Sequence, residues 1–311
     1  MTNSIAYASV FNQVLDEAFA ISSRTSFMEN NGLGIVWQGG KEVKIPKLAL
    51  QGLGTVVGCT VPNGDVTFGY ETKQMQWDRG RTFKIGRYDV DETNFALNAG
   101  VLLANFARQH VIPEQDKLRI STVAKAALDA GHVTYEGASA SATPLKDLLA
   151  DIGTVQDKIG EDVQLYILIS GTKKTALMSS SEITKYLSVR DYEVRSVSTK
   201  VDAINDQYLI QCPTSYMETI FTLRDGTTSG QEAGGVVAAS GSKKVNWVIV
   251  ARDAVIAVGY PRVEKIITPD ENQDGDCWKI MFRNYHGLFV LENKLDGLHV
   301  NVQGAAPSGT T

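Results

Sequence analysis

The stretch LQGLGTVVGCTVPNGDVTFGYET, residues 50–72, limits the fold more than any other part of the chain. Val- and Thr-rich flanks enclose a Pro62-Asn63-Gly64-Asp65 turn signal, and Asn-Gly between such flanks predicts a hairpin. Five of these residues are glycine, and few are large and apolar. A long hairpin of that composition has too little apolar area of its own to offset the ordering of its backbone, so it needs a surface to lie on. The preceding KEVKIPKL, 41–48, alternates charged and apolar side chains around a proline, the pattern of an edge strand.

The rest of the chain can supply a core. It has 311 residues, of which 43% are hydrophobic and 21% charged, ordinary values for a globular protein. A net charge of −5 removes the electrostatic footprint of a general nucleic-acid binder. The first residues have no basic region followed by an apolar core, so no secretory signal is read there. Apolar runs such as YILI and VIVA are far too short to span a bilayer. Cys59, Cys212 and Cys277 lie far apart and form no CxxC pair, which argues against a disulfide framework or zinc site and for folding in a reducing cytoplasm.

Patterning divides the chain further. Val10/Phe11, Val14/Leu15 and Phe19 form a short helical stripe, followed by the polar SSRTSFMENNGLG of an arm. From 89 a helix is predicted, with Asp89 and Glu92 as a capping box and Phe95, Ala99, Leu102, Leu103 and Phe106 along one face. Pro113 should kink or break it before a second stripe, Ile120, Val123, Ala124 and Ala127. GHVTYEGASASATP, 131–144, reads as a linker. An α/β module follows: helix at 145–159, buried strand VQLYILIS at 163–170, helix in TKKTALMSSSEITKYL, then strands YLIQCP, VNWVIVA and AVIAVGYP. RVEKIITP and CWKIMFRNYHGLFVLEN are two long strands joined by DENQDGD, and the tail QGAAPSGTT reads as disordered.

Candidate chemistry is thin. SGTKKT, 170–175, follows a strand and opens a helix, but a phosphate loop ending at Lys174-Thr175 needs glycine where Leu168 and Lys173 stand. Gly52, Gly54 and Gly58 miss the dinucleotide spacing by one. Asp270, Asn272, Asp274 and Gly275 match the start of a calcium loop, but its twelfth position is Met281 rather than glutamate. A solvated turn explains those residues as well. No GxSxG is present, and His110, His132, His286 and His299 form no HxxxH pair. Asp147 and Asp151, one helical turn apart, read as a solvated face. The densest charge lies in DRGRTFKIGRYDVDET, 78–93, with four residues of each sign. Without glycine cradle, histidine or cysteine it reads as a set of ion pairs within or between subunits. No catalytic, cofactor-binding or metal-ligating set is assigned.

The order of these parts resembles the major capsid protein of tailed bacteriophages, the Hong Kong 97 fold. The resemblance is carried by GGKEVKIPKLALQGLG (39–54), WDRGRTFKIGRYDVDET (77–93), HVIPEQDKLR (110–119) and YILISGTKKTALMSS (166–180). It implies an α+β chain: N-terminal arm 1–35, extended loop and peripheral-domain strands 36–88, spine helix of the peripheral domain 89–130, α/β axial domain 131–260, peripheral return strands 261–303 and flexible tail 304–311. It further implies a structural subunit rather than an enzyme. Such a subunit assembles as pentamers and hexamers of an icosahedral shell around double-stranded DNA, which it contacts only non-specifically. An encapsulin-like nanocompartment shell is the alternative. On this resemblance the subunit interface falls on Asp78, Arg79, Arg81, Lys84 and Arg87 with Val56, Val61, Phe68 and Tyr70 of the hairpin. No scaffolding segment precedes the arm, so a separate scaffolding protein is expected, with a portal and no membrane, and assembly in the bacterial host cytoplasm before residence in the virion.

Overall fold

The computed structural model describes residues 23–29, 36–37, 42–55, 63–88, 99–136, 144–180, 183, 186–194, 197–259 and 263–306. The helical stripe expected at 10–19, Val56 and Val61, the capping pair Asp89 and Glu92, and the tail from 307 lie outside these residues.

The predicted hairpin is present. β1 (Val36–Trp37), β2 (Glu42–Leu50) and β3 (Val66–Gln74) form a sheet in that order. The long pair is antiparallel, with Pro46 opposite Tyr70, Leu48 opposite Phe68 and Leu50 opposite Val66. Nine-residue strands make it about 30 Å long. The turn differs from expectation. Residues 51–65 connect the strands, so Asn63-Gly64 is not a two-residue hairpin turn; the Asp65 N–H donates to Gln51 Oε1 at 3.1 Å and closes the neck. Apolar cross-strand pairing sets the register over the local turn signal. Nor is β2 a simple edge strand, because β1 borders it at Val43 and Lys44. Pro46 falls outside the Val43–Lys44 stretch that β1 pairs.

β4 (Trp77–Gly86) carries the chain into the body. The helical rod follows as α1 (Ala99–Phe106), a π turn (Ala107–Val111) and α2 (Ile112–Asp129). Proline cannot donate to the preceding turn and its ring crowds a carbonyl there. The widened turn just ahead of Pro113 absorbs both defects, so the helix continues.

After the rod come β5 (Val133–Glu136), α3 (Pro144–Ile159), β6 (Leu165–Ser170), α4 (Gly171–Met178), β7 (Leu187–Val194), β8 (Val197–Ile204), β9 (Gln207–Cys212), β10 (Phe221–Leu223), β11 (Val236–Ala238), β12 (Val245–Ala251), β13 (Val255–Gly259), β14 (Val263–Ile267), β15 (Cys277–Val290) and β16 (Leu298–Gln303). A seven-stranded sheet runs β5-β16-β12-β6-β9-β8-β7, and a second sheet joins β13, β15 and β14, with β4 also pairing β15. β10 and β11 form a separate pair. β6 and β12 are buried at every position, as their continuous apolar runs require.

Two sequence boundaries are crossed. The segment read as a linker contains β5, which pairs in parallel with β16. Residues 261–303 do not stay together: β14 and β15 pair with β4, whereas β16 inserts between β5 and β12, and β13 leaves the axial segment to pair with β15. β16 is buried from Leu298 to Val302, so it belongs where both of its faces can be covered. α4 is also shorter than expected, ending before the Ser179-Ser180 pair, whose side chains compete with helical hydrogen bonding.

The main core joins Ile120, Val123, Ala124 and Ala127 of α2 and Leu145, Leu148, Ile152 and Val155 of α3 to the seven-stranded sheet. Two segments overturn polar readings. Phe27 and Met28, inside the supposed arm, are core residues, with Phe27 stacked on Tyr166 at 4.1 Å. Asp151 is buried, not solvated. Its carboxylate accepts from the Thr134 hydroxyl at 2.8 Å, Trp247 Nε1 at 2.9 Å and Asn301 Nδ2 at 3.2 Å, with His299 Nε2 at 3.3 Å. Burial alone would raise this carboxyl, but His299 together with the Thr134 and Trp247 hydrogen bonds holds it below its ordinary value of 3.8. A depressed folded-state value means stabilisation that is complete above 3.8 and lost as pH falls toward the folded value. The melting temperature of wild type should therefore fall more steeply below pH 3.8 than that of Asp151→Asn; equal slopes in a pH series of thermal melts would contradict this assignment.

Candidate subunit interface and its joint

The hairpin is anchored at one end and bare at the other. At its base Val43, Ile45 and Met75 pack with Ile256, Val258, Phe289 and Leu291. Strand alternation places Leu48, Leu50, Val66, Phe68 and Tyr70 on the opposite face, and cross-strand pairing brings them together. Phe68 is 60% exposed, Leu48 56% and Tyr70 52%, with the two rings edge to face at 5.3 Å. Scattered exposed apolar residues are ordinary; here they form one contiguous patch on a projecting arm.

The charge-dense stretch resolves through the same alternation. β4 pairs with β15 from Trp77 opposite His286 to Gly86 opposite Cys277. Phe83 and Ile85 lie on the side packed against Leu103, Ala107 and Ile112 of the rod, and Phe83 meets Phe106 edge to face at 4.9 Å. Arg79 and Arg81 share that parity. Arg79 Nε donates to Glu114 Oε1 at 2.5 Å, Nη1 to the Arg224 carbonyl at 2.8 Å and Nη2 to the Gly235 carbonyl at 3.3 Å. One side chain thus ties β4 to α2 and to the loop between β10 and β11. Arg81 reaches the same loop, donating from Nη2 to the Glu232 carbonyl at 2.9 Å. Gly80 between them permits this, because a Cβ there would lie 2.8 Å from the Phe282 carbonyl oxygen.

Asp78 and Lys84 fall on the other side. Asp78 holds Arg283 bidentately, at 2.8 and 2.5 Å. Lys84 stands opposite Lys279, which pairs with Asp274 at 2.7 Å. Arg87 lies 3.4 Å from both Asp270 and Asp276, so two carboxylates of the DENQDGD turn face a cation, and Asn272 donates to the Cys277 carbonyl. Among the described residues no group of three or more His, Cys, Asp or Glu is placed to hold a metal. Lys174, from the phosphate-loop candidate, pairs with Asp202 at 2.6 Å, and Lys173 pairs with Glu136.

Arg79 and Arg81 therefore predict different outcomes. Arg79→Ala removes charge-assisted bonds at a largely buried site and strands Glu114, at a cost of about 2 kcal/mol in urea unfolding of the monomer. Arg81→Ala removes one exposed bond and should cost less than about 1 kcal/mol. Equal losses would contradict the difference in their placement.

A second joint escaped sequence reading. Asp116 on α2 is buried and accepts from the Ser23 hydroxyl at 2.8 Å, the Arg24 N–H at 2.9 Å, the Thr25 N–H at 3.3 Å and the Thr25 hydroxyl at 2.6 Å. Burial pushes its carboxyl above the ordinary value, against the pull of those donors. Arg119, one turn on, donates to Thr25 Oγ1 at 3.2 Å and to Glu29 at 2.7 Å. The only sequence hint is an acidic and a basic residue three apart on an otherwise apolar helix face.

No protein-family model and no curated protein matches the chain. Solved structures do. A structure from Mycobacterium phage Bobi shares 12% identity at a TM-score of 0.58, covering 92% of this chain and 91% of that one. The asymmetric unit of bacteriophage PhiM1 mature capsid shares 11% identity at 0.55, covering 88% and 85%. A virus-like particle from Pyrococcus furiosus shares 10% identity at 0.53, covering 93% and 96%. The class is thereby defined: the chain has the α+β Hong Kong 97 capsid fold along nearly its whole length. Among the described residues no helix is long and apolar enough to cross a membrane.

Proposed function

We propose that this chain is the repeating subunit of an icosahedral phage head, assembling as pentamers and hexamers around double-stranded DNA. The observation that carries the reading is the hairpin: an arm about 30 Å long, fixed at its base, with an apolar face that a single copy leaves in solvent. A second copy supplies the missing cover. Phe68 and Tyr70 make that contact, and Val56 and Val61 share in it. Asp78, Arg79, Arg81, Lys84 and Arg87 form the joint that sets the direction from which the arm leaves the body. A net charge of −5 suits a container that holds its genome without binding it tightly. Assembly in the host cytoplasm uses a separate scaffolding protein and a portal, and the subunit performs no catalysis.

A nanocompartment shell of the encapsulin kind is the second reading, supported by the likeness to the Pyrococcus furiosus virus-like particle. Negative-stain microscopy of the protein expressed alone and with its scaffold tests the shell itself, and monodisperse monomer under every assembly condition would overturn it. The contents separate the two readings: particles that fill with DNA from a portal support the head, and particles that load a folded enzyme support the compartment.

A further inference from the structure

A cleft of about 390 Å³ lies where the β4–β15 sheet, the π turn of the rod and the β10–β11 loop meet. The Arg79–Glu114 pair lies on its wall, and Arg81, Arg224, Lys117 and His110 also line it. The guanidinium of Arg224 has no ion-pair partner among the described residues, and Arg81 uses only one of its terminal nitrogens. Asp225, also on the wall, turns its carboxylate onto its own loop, accepting the N–H groups of Thr227 and Thr228. A second observation points to an absent acceptor. Asn284, also on the wall, is 3% exposed, and its Nδ2 has no hydrogen-bond partner among the described residues. Buried donors are nearly always satisfied, so an orphan at the wall of a cationic cleft marks a place for an oxygen acceptor.

The same sheet presents the complementary group at its other end. The turn between β14 and β15 carries Asp270, Glu271, Asp274 and Asp276, answered nearby by Arg87 and Lys279. Asp270 is 78% exposed. From Arg81, opposite Phe282, to Cys277, where the turn ends, is five residues of strand, or about 17 Å. A rigid sheet cannot fold its own turn into its own cleft. We infer that the acidic 270–276 turn of a second copy docks against the Arg81–Arg224–Lys117 cleft, its carboxylates answering these cations and Asn284. The contact is head to tail, using different patches on the two copies, so its repetition adds copy after copy, in a ring where the rotation closes, rather than ending at a pair. This rests on the shell reading and adds which two surfaces meet.

Charge exchange tests it. Arg224→Glu alone and Asp270→Lys with Glu271→Lys are each expected to raise the protein concentration for half-assembly about tenfold, since like charges across a contact repel. Carried together on one chain they restore assembly to within about twofold of wild type. Circular dichroism and urea midpoints check that each monomer remains folded. Single variants that assemble like wild type, or a combined variant no better than the worse single one, overturn the contact. Wild type that yields no particles overturns the shell reading and the contact with it, whereas particles indifferent to the charge pattern overturn the contact alone.

Discussion

Replacing Leu48, Phe68 and Tyr70 together by serine is expected to abolish particle formation while lowering the unfolding midpoint of the monomer only slightly. All three side chains are more than half exposed in the single chain, so removing them forfeits little packing there, chiefly the contact between the Phe68 and Tyr70 rings. Their loss acts only where a neighbour would cover them. Completing the burial of a half-covered large apolar side chain contributes about 1 kcal/mol, so three contribute about 3 kcal/mol per contact, or about a hundredfold in its equilibrium constant. A closed shell needs that contact from every subunit, so the loss compounds. Sedimentation of wild type and variant at equal concentration reads the effect. A variant that still forms particles would mean the arm is not an assembly element, and a large drop in monomer stability would mean its face is already covered.

The largest effect on the monomer is expected from Asp116→Ala. It leaves the hydroxyls of Ser23 and Thr25 and the N–H groups of Arg24 and Thr25 without their acceptor, and Arg119 as a buried cation facing Glu29 alone. Breaking a buried, hydrogen-bonded charge in this way costs about 3–5 kcal/mol. Phe27 and Met28 then lose the clamp that holds them in the core. Trypsin cleavage after Arg24 should become fast in the variant and remain slow in wild type, with a matching fall in the urea midpoint. Slow cleavage in both would show that core packing at Phe27 and Met28 anchors the segment without the clamp.

Features whose causes are local were legible in the sequence. The core-poor hairpin, the two helical stripes on either side of Pro113 and the all-apolar strands β6 and β12 follow from composition and period at adjacent positions. What was misread depends on distant partners. Asp151 looked solvated because helical spacing reports its own face, not Trp247, His299 and Asn301 waiting on other strands. Ser23 and Thr25 look like arm residues until Asp116, more than ninety positions away, is placed beside them. Asn63-Gly64 is a sound turn signal overruled by pairing between Leu48 and Phe68. The charges at 78–87 formed a block in sequence, yet the pleat of one strand sends Arg79 to Glu114 and Asp78 to Arg283. No spacing rule could supply those partners.

An electron cryomicroscopy reconstruction of the assembled particle tests the central claim most directly. The account predicts a closed shell in which each hairpin lies across a neighbouring copy, with Phe68 and Tyr70 fully buried against it. Hairpins that stand free in solvent while other surfaces hold the particles together would contradict it.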